Sequence, residues 1–133
     1  MRCLYGIAYL VGICLSLSPL YAQSSLKNLQ QIQLLSQNEC VVVQINADWN
    51  YSANLNLRGL KNCIWFNASI DNEEYGAVLA NEWKIKSVPT IIMFESGKEI
   101  LRFEAGLSFQ LDEDKIISKL KEETEKIMLR KFQ

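Results

Sequence analysis

An α/β domain with a central mixed sheet of about four strands flanked by helices is the fold class this sequence predicts, on three observations. Residues 40–45, 63–70 and 90–94 are apolar runs rich in β-branched or aromatic side chains, short enough to be buried strands. Segments with apolar residues at helical spacing lie before, between and after them. The 133 residues, 49% of them hydrophobic, suffice for one such core and not for two.

The N-terminus reads as an export signal. Arg2 supplies a short basic region, residues 4–17 are almost wholly apolar, and Ala22 is a small residue suited to cleavage before Gln23. The predicted organisation is a signal peptide at 1–22 and one domain at 23–133, exported to a periplasm or secreted. The alternative is a membrane anchor made by residues 3–21, about long enough to cross a thin bilayer. Pro19 and the short apolar stretch favour the signal, so a membrane enters only if this segment is not cleaved.

Residues 24–39 are predicted as a first helix, capped by Ser24 or Ser25, with Leu26, Leu29, Ile32 and Leu35 as its core stripe. A buried strand follows at 40–45 and runs into Trp49, the strand-to-helix junction where α/β folds place their chemistry. Residues 52–62 are expected to make about three helical turns and 63–70 the next, parallel strand. Asp71 to Glu74 read as a turn and helix start, and Leu79, Trp83 and Ile85 are apolar positions on the way to Pro89. The strand at 90–94, a tight turn at 95–98 and a return strand at 99–104 make a hairpin at the end of the sheet. Asp112, Glu113 and Asp114 load the first turn of a last helix, which buries Ile116, Ile117 and Leu120. Its continuation to about Lys131 reads as a solvated extension or as an amphipathic contact through Ile127, Met128, Leu129 and Phe132.

Composition excludes several kinds of function. The sequence has no histidine, which rules out Ser-His-Asp and Cys-His catalysis and removes the commonest zinc ligand. A net charge of -1 gives no electrostatic case for nucleic acid or an anionic membrane as partner. No metal and no cofactor is expected.

Two motifs carry the functional reading: Ala47-Asp48-Trp49-Asn50-Tyr51-Ser52-Ala53 at the strand exit, and Ser87-Val88-Pro89-Thr90 ahead of the third strand. Together they resemble the thioredoxin-like superfamily, and Ala-Asp-Trp in particular is similar to periplasmic thiol-reductase domains in which Ala-Asp-Trp-Cys recurs. The resemblance covers residues 26–120 and implies the thioredoxin core without its extra N-terminal strand, with a cis peptide before Pro89. It also places Asn50 and Ala53 where the family carries its cysteine pair. Neither can supply the thiolate that attacks a disulfide or the thiol that resolves the mixed one. Gln44 and Asn67 stand where the family has its buried Asp and accompanying Lys, so the charges that serve the thiols are missing as well.

What remains is a face able to grip a chain. Pairing an extended peptide with the backbone beside Pro89 needs no cysteine, and Trp49 and Tyr51 add aromatic contact area. The leading expectation is an exported, redox-inactive module that binds a polypeptide or protein partner through Trp49, Asn50, Tyr51, Val88, Pro89 and Thr90. The competing structural reading makes Trp49 a packed residue and Pro89 a fold determinant. The alternative function is thiol-disulfide exchange through Cys40 and Cys63 or a partner's thiol. Each of these cysteines opens one of two adjacent parallel strands, so they can meet at the end of the sheet opposite the junction. A structural disulfide, two inert buried thiols and a working redox pair all stay open. Asn50-Tyr51-Ser52 and Asn67-Ala68-Ser69 also match the short N-glycosylation pattern.

Overall fold

The computed structural model describes residues 29–132. The expected signal peptide, the alternative anchor at 3–21 and the capping serines of the first helix lie outside them. In order, the elements are α1 (Leu29–Ser36), β1 (Val41–Asn46), a 3₁₀ turn (Asp48–Ala53), β2 (Ile64–Ser69), α2 (Gly76–Glu82), β3 (Thr90–Glu95), β4 (Lys98–Glu104) and α3 (Glu113–Lys131). The strands form one sheet in the order β2-β1-β3-β4. β1 pairs with β2 in parallel, and β3 lies antiparallel to both β1 and β4. No helix among the described residues is long and apolar enough to cross a membrane.

The continuous apolar run of β1 is explained by its central place: all six of its residues are buried, with side chains alternating between two layers. One core joins Val42, Met93, Leu57, Leu60 and Leu120 on the α3 side. The other joins Val43, Phe66, Ile92, Ile32 and Leu79 under α1 and α2. Ser96 and Gly97 both take positive φ, 53° and 76°, which is the two-residue turn that matches the twist of a β-hairpin.

Gly76 opens α2 where the chain passes closest to the end of β2. A Cβ there would overlap the Ile70 carbonyl, a backbone group with no freedom to swing aside. Gly76→Ala is therefore expected to destabilise the fold by about 1–3 kcal/mol, read as a lower urea midpoint.

Two expectations need correction. Residues 54–62 form no helix; after the 3₁₀ turn the chain runs irregularly to Cys63. Gln44 is the reason, because its buried amide takes both backbone groups of Leu55, accepting from the N–H at 2.7 Å and donating to the carbonyl at 3.0 Å. Neither group is then available to a helical ladder, and Asn54, Asn56 and Gly59 have low helix propensity. Leu55, Leu57 and Leu60 nevertheless cover the sheet as a helix would. The second correction concerns α3. Its last turns are packed and not a solvated extension: Ile127 is in the core, and Arg130 Nη2 reaches Glu95 Oε2 at 3.0 Å. Leu129 and Phe132 remain exposed.

Cys40 and Cys63 form a disulfide, with Cα atoms 4.7 Å apart, where β1 and β2 begin. It closes the loop that contains the irregular segment.

Candidate functional site

The 3₁₀ turn is tied to the end of β1 by three asparagine amides spaced four residues apart. Asn46, buried at the last position of β1, donates through Nδ2 to the Asn50 carbonyl at 2.8 Å and to Asn54 Oδ1 at 2.7 Å. Its Oδ1 accepts from the Ala47 N–H at 2.9 Å and from Asn50 Nδ2 at 3.1 Å. Every donor and acceptor position of this buried amide is used, so the turn is fixed without any charge.

Asn50 also reaches across the site. Its Nδ2 donates to the Phe109 carbonyl at 3.0 Å, in the loop that follows β4. That loop starts where the Ala105 N–H donates to the Pro89 carbonyl at 3.1 Å, so it connects the 3₁₀ turn with the proline segment. Phe109 takes φ 56°, and its ring meets Trp49 edge to face with centroids 5.1 Å apart. The nitrogen that a glycan on Asn50 would occupy thus has both hydrogens engaged. Asn67 lies inside β2, its Oδ1 accepting from Gln44 Nε2 at 3.0 Å.

The expected site residues divide into two sets. Trp49 and Tyr51 are 66% and 72% exposed, and Asn50 sits half-buried between them. Val88, Pro89 and Thr90 have buried side chains, and Thr90 Oγ1 donates to the Ser87 carbonyl at 2.8 Å. The Val88–Pro89 peptide is cis. Ala53 is half-buried at the end of the turn and carries no reactive group. No grouping of metal-binding side chains occurs among the described residues.

Sequence reasoning missed half of the exposed surface. Phe109, 41% exposed, and Leu107, 98% exposed, come from a loop nearly sixty residues beyond Trp49, and no local pattern marks them. The repeat Asn46, Asn50, Asn54 around a strand exit is the readable signal for the amide cluster. Beside the turn, Tyr51, Asn54, Leu57, Arg58, Trp65 and Asn67 help line an open groove of about 330 Å³.

The order β2-β1-β3-β4, the helices on both faces and the cis proline can be set against solved structures. A thioredoxin from Schistosoma mansoni superposes with TM-score 0.60 at 18% identity, over 75% of this chain and 94% of that one. The chain has a thioredoxin-like fold. A point-mutant thioredoxin from Halobacterium salinarum matches with TM-score 0.58 at 17% identity, over 77% of this chain and 90% of its own. Thioredoxin O2 from Arabidopsis thaliana matches with TM-score 0.57 at 12% identity, covering 77% and 94%. No family model and no curated relative matches the sequence. On this thioredoxin-like scaffold the strand exit holds an amide cluster. The cysteine pair lies at the opposite end of β1 and β2, engaged in the Cys40–Cys63 bond.

Proposed function

We propose that this is an exported, redox-inactive thioredoxin-like protein that binds an extended polypeptide segment of a partner. The observation that carries the reading is the exposed aromatic surface of Trp49, Tyr51 and Phe109 around Asn50, held in place by the amide cluster and free of any thiol. Rigid aromatic side chains give large contact area at low entropic cost, which is what a binding surface needs. Export is supported by the character of residues 1–22 and by the disulfide, which suits an oxidising compartment such as the periplasm. Val88, Pro89 and Thr90 act in this reading as the fixed floor: the Pro89 carbonyl is held by the Ala105 N–H and Thr90 is paired with β1 and β4, so a partner's backbone would pair at Val88.

Binding of carboxymethylated α-lactalbumin, a permanently unfolded chain, tests the proposal by fluorescence titration. Trp49→Ala and Phe109→Ala are each expected to weaken it about tenfold, while Leu129→Ala on α3 leaves it unchanged. Equal binding by all three variants would remove the surface from consideration. The bond between Cys40 and Cys63 favours a second reading, thiol-disulfide exchange, because Cys63 is half-buried and not sealed. Insulin reduction with dithiothreitol as donor separates the two. No rate above background is expected, whereas turnover lost in Cys63→Ser would establish the exchange reading instead.

A further inference from the structure

The two edges of the sheet differ in kind. β4 carries Lys98, Glu99, Arg102 and Glu104, and Arg102 pairs with Glu99 at 2.6 Å and Glu104 at 3.6 Å. Charges of this density discourage another strand from adding to that edge. β2, at the other edge, reads Ile64-Trp65-Phe66-Asn67-Ala68-Ser69 and has no charge, no proline and no bulge.

Its hydrogen-bonding direction follows from the ladder. The Ile64 N–H donates to the Cys40 carbonyl and the Ile70 N–H to the Asn46 carbonyl, so even-numbered residues face β1. The odd-numbered ones face away. Ser69 is already engaged, its N–H donating to Tyr75 Oη at 3.4 Å. This leaves the N–H and C=O of Trp65 and Asn67 as a window of four outward backbone groups, to which no described strand is paired.

We infer that β2 pairs antiparallel with β2 of a second copy, about a two-fold axis at Phe66, joining two sheets into one of eight strands. That register sets Trp65 opposite the second copy's Asn67 and satisfies all four outward groups reciprocally. Centring on Asn67 instead would oppose Trp65 to Ser69, whose N–H is taken. Charge selects the direction as well. Arg58 and Lys61 precede β2, whereas Asp71 follows it, with Asp48 bound there through its backbone N–H to Asp71 Oδ2 at 2.8 Å. Antiparallel pairing about Phe66 brings the basic end of each copy, with Arg58 and Lys61, towards the acidic end of the other, with Asp48 and Asp71, twice per dimer. Parallel pairing would bring like charges together.

Sedimentation velocity of the purified protein over a wide concentration range tests this. A concentration-dependent dimer is expected, weakened about tenfold by Lys61→Asp and restored by Lys61→Asp combined with Asp71→Lys. Hydrogen exchange provides the second readout: the amides of Trp65 and Asn67 are expected to exchange quickly in dilute protein and slowly in concentrated protein. A monomer at every concentration, or a dimer indifferent to the charge changes, would refute the pairing. Protection of both amides at high dilution would equally refute it, since the edge would then be covered by the chain's own N-terminal residues.

Discussion

Cys63→Ser is expected to lower the stability of the domain by about 3 kcal/mol, and reduction of the unchanged protein to lower it by the same amount. The figure follows from loop closure. The disulfide joins residues 23 apart, and releasing a loop of that size returns about that much entropy to the unfolded chain. The native side adds to it, because the loop contains the irregular segment with Leu55, Leu57 and Leu60, which lacks a helical ladder of its own. Urea unfolding with and without reductant gives both numbers. Equal midpoints would mean that the bond constrains nothing, and would turn attention to a redox role. In Cys63→Ser the effect of reductant should vanish, since the described cysteines are these two alone.

Gln44→Leu is expected to cost about 3 kcal/mol although it adds apolar surface to a buried strand. Three bonds are lost together: the amide meets both backbone groups of Leu55 and also donates to Asn67 Oδ1. Leucine fills a similar volume, so the loss is one of orphaned polar groups and not of a cavity. The backbone N–H and C=O of Leu55 would be left buried, at about 1 kcal/mol or more each. Gln44→Glu separates the contributions, since a carboxylate still accepts from the Leu55 N–H but donates nothing and places a charge in the core. It should be worse than leucine at neutral pH and recover in acid, where the protonated group can donate. An unfolding series from pH 7 to pH 4 reads this directly, and a flat profile would rule the account out.

The same residue explains where sequence reading succeeded and where it stopped. The strands were legible because burial on both faces demands predominantly apolar runs, and residues 41–45, interrupted only by Gln44, and 90–94, opened by Thr90, have them. The Cys40–Cys63 contact was legible from two strands that begin in register, Val41 opposite Ile64. The irregular segment was not, since its form is imposed by a side chain eleven positions earlier. Local propensity at 52–62 is silent about Gln44. The site was half legible for a similar reason. Trp49, Asn50 and Tyr51 sit on the strand exit, where a motif can be seen, whereas Phe109 arrives through a loop bound to Asn50 by a single carbonyl. The burial of Val88, Pro89 and Thr90 depends on strands on both sides of them, which a tripeptide cannot reveal.

The tied segment between Ala53 and Cys63 has a consequence for how the protein can vary. A helix commits every residue to one period, so a change of length by one position rotates all that follow and misplaces its buried face. Here three leucines are anchored by a glutamine at one end and a sulfur bridge at the other, and the residues between them answer to no period. Arg58, Gly59 and Lys61 are exposed on this stretch. These exposed residues can be replaced without shifting Leu55 or Cys63, while the Leu60 N–H bond to the Leu57 carbonyl keeps the turn between the buried leucines. The wall of the groove beside Tyr51 and Trp65 is thus a place where new contacts can be acquired while the sheet behind it stays unchanged.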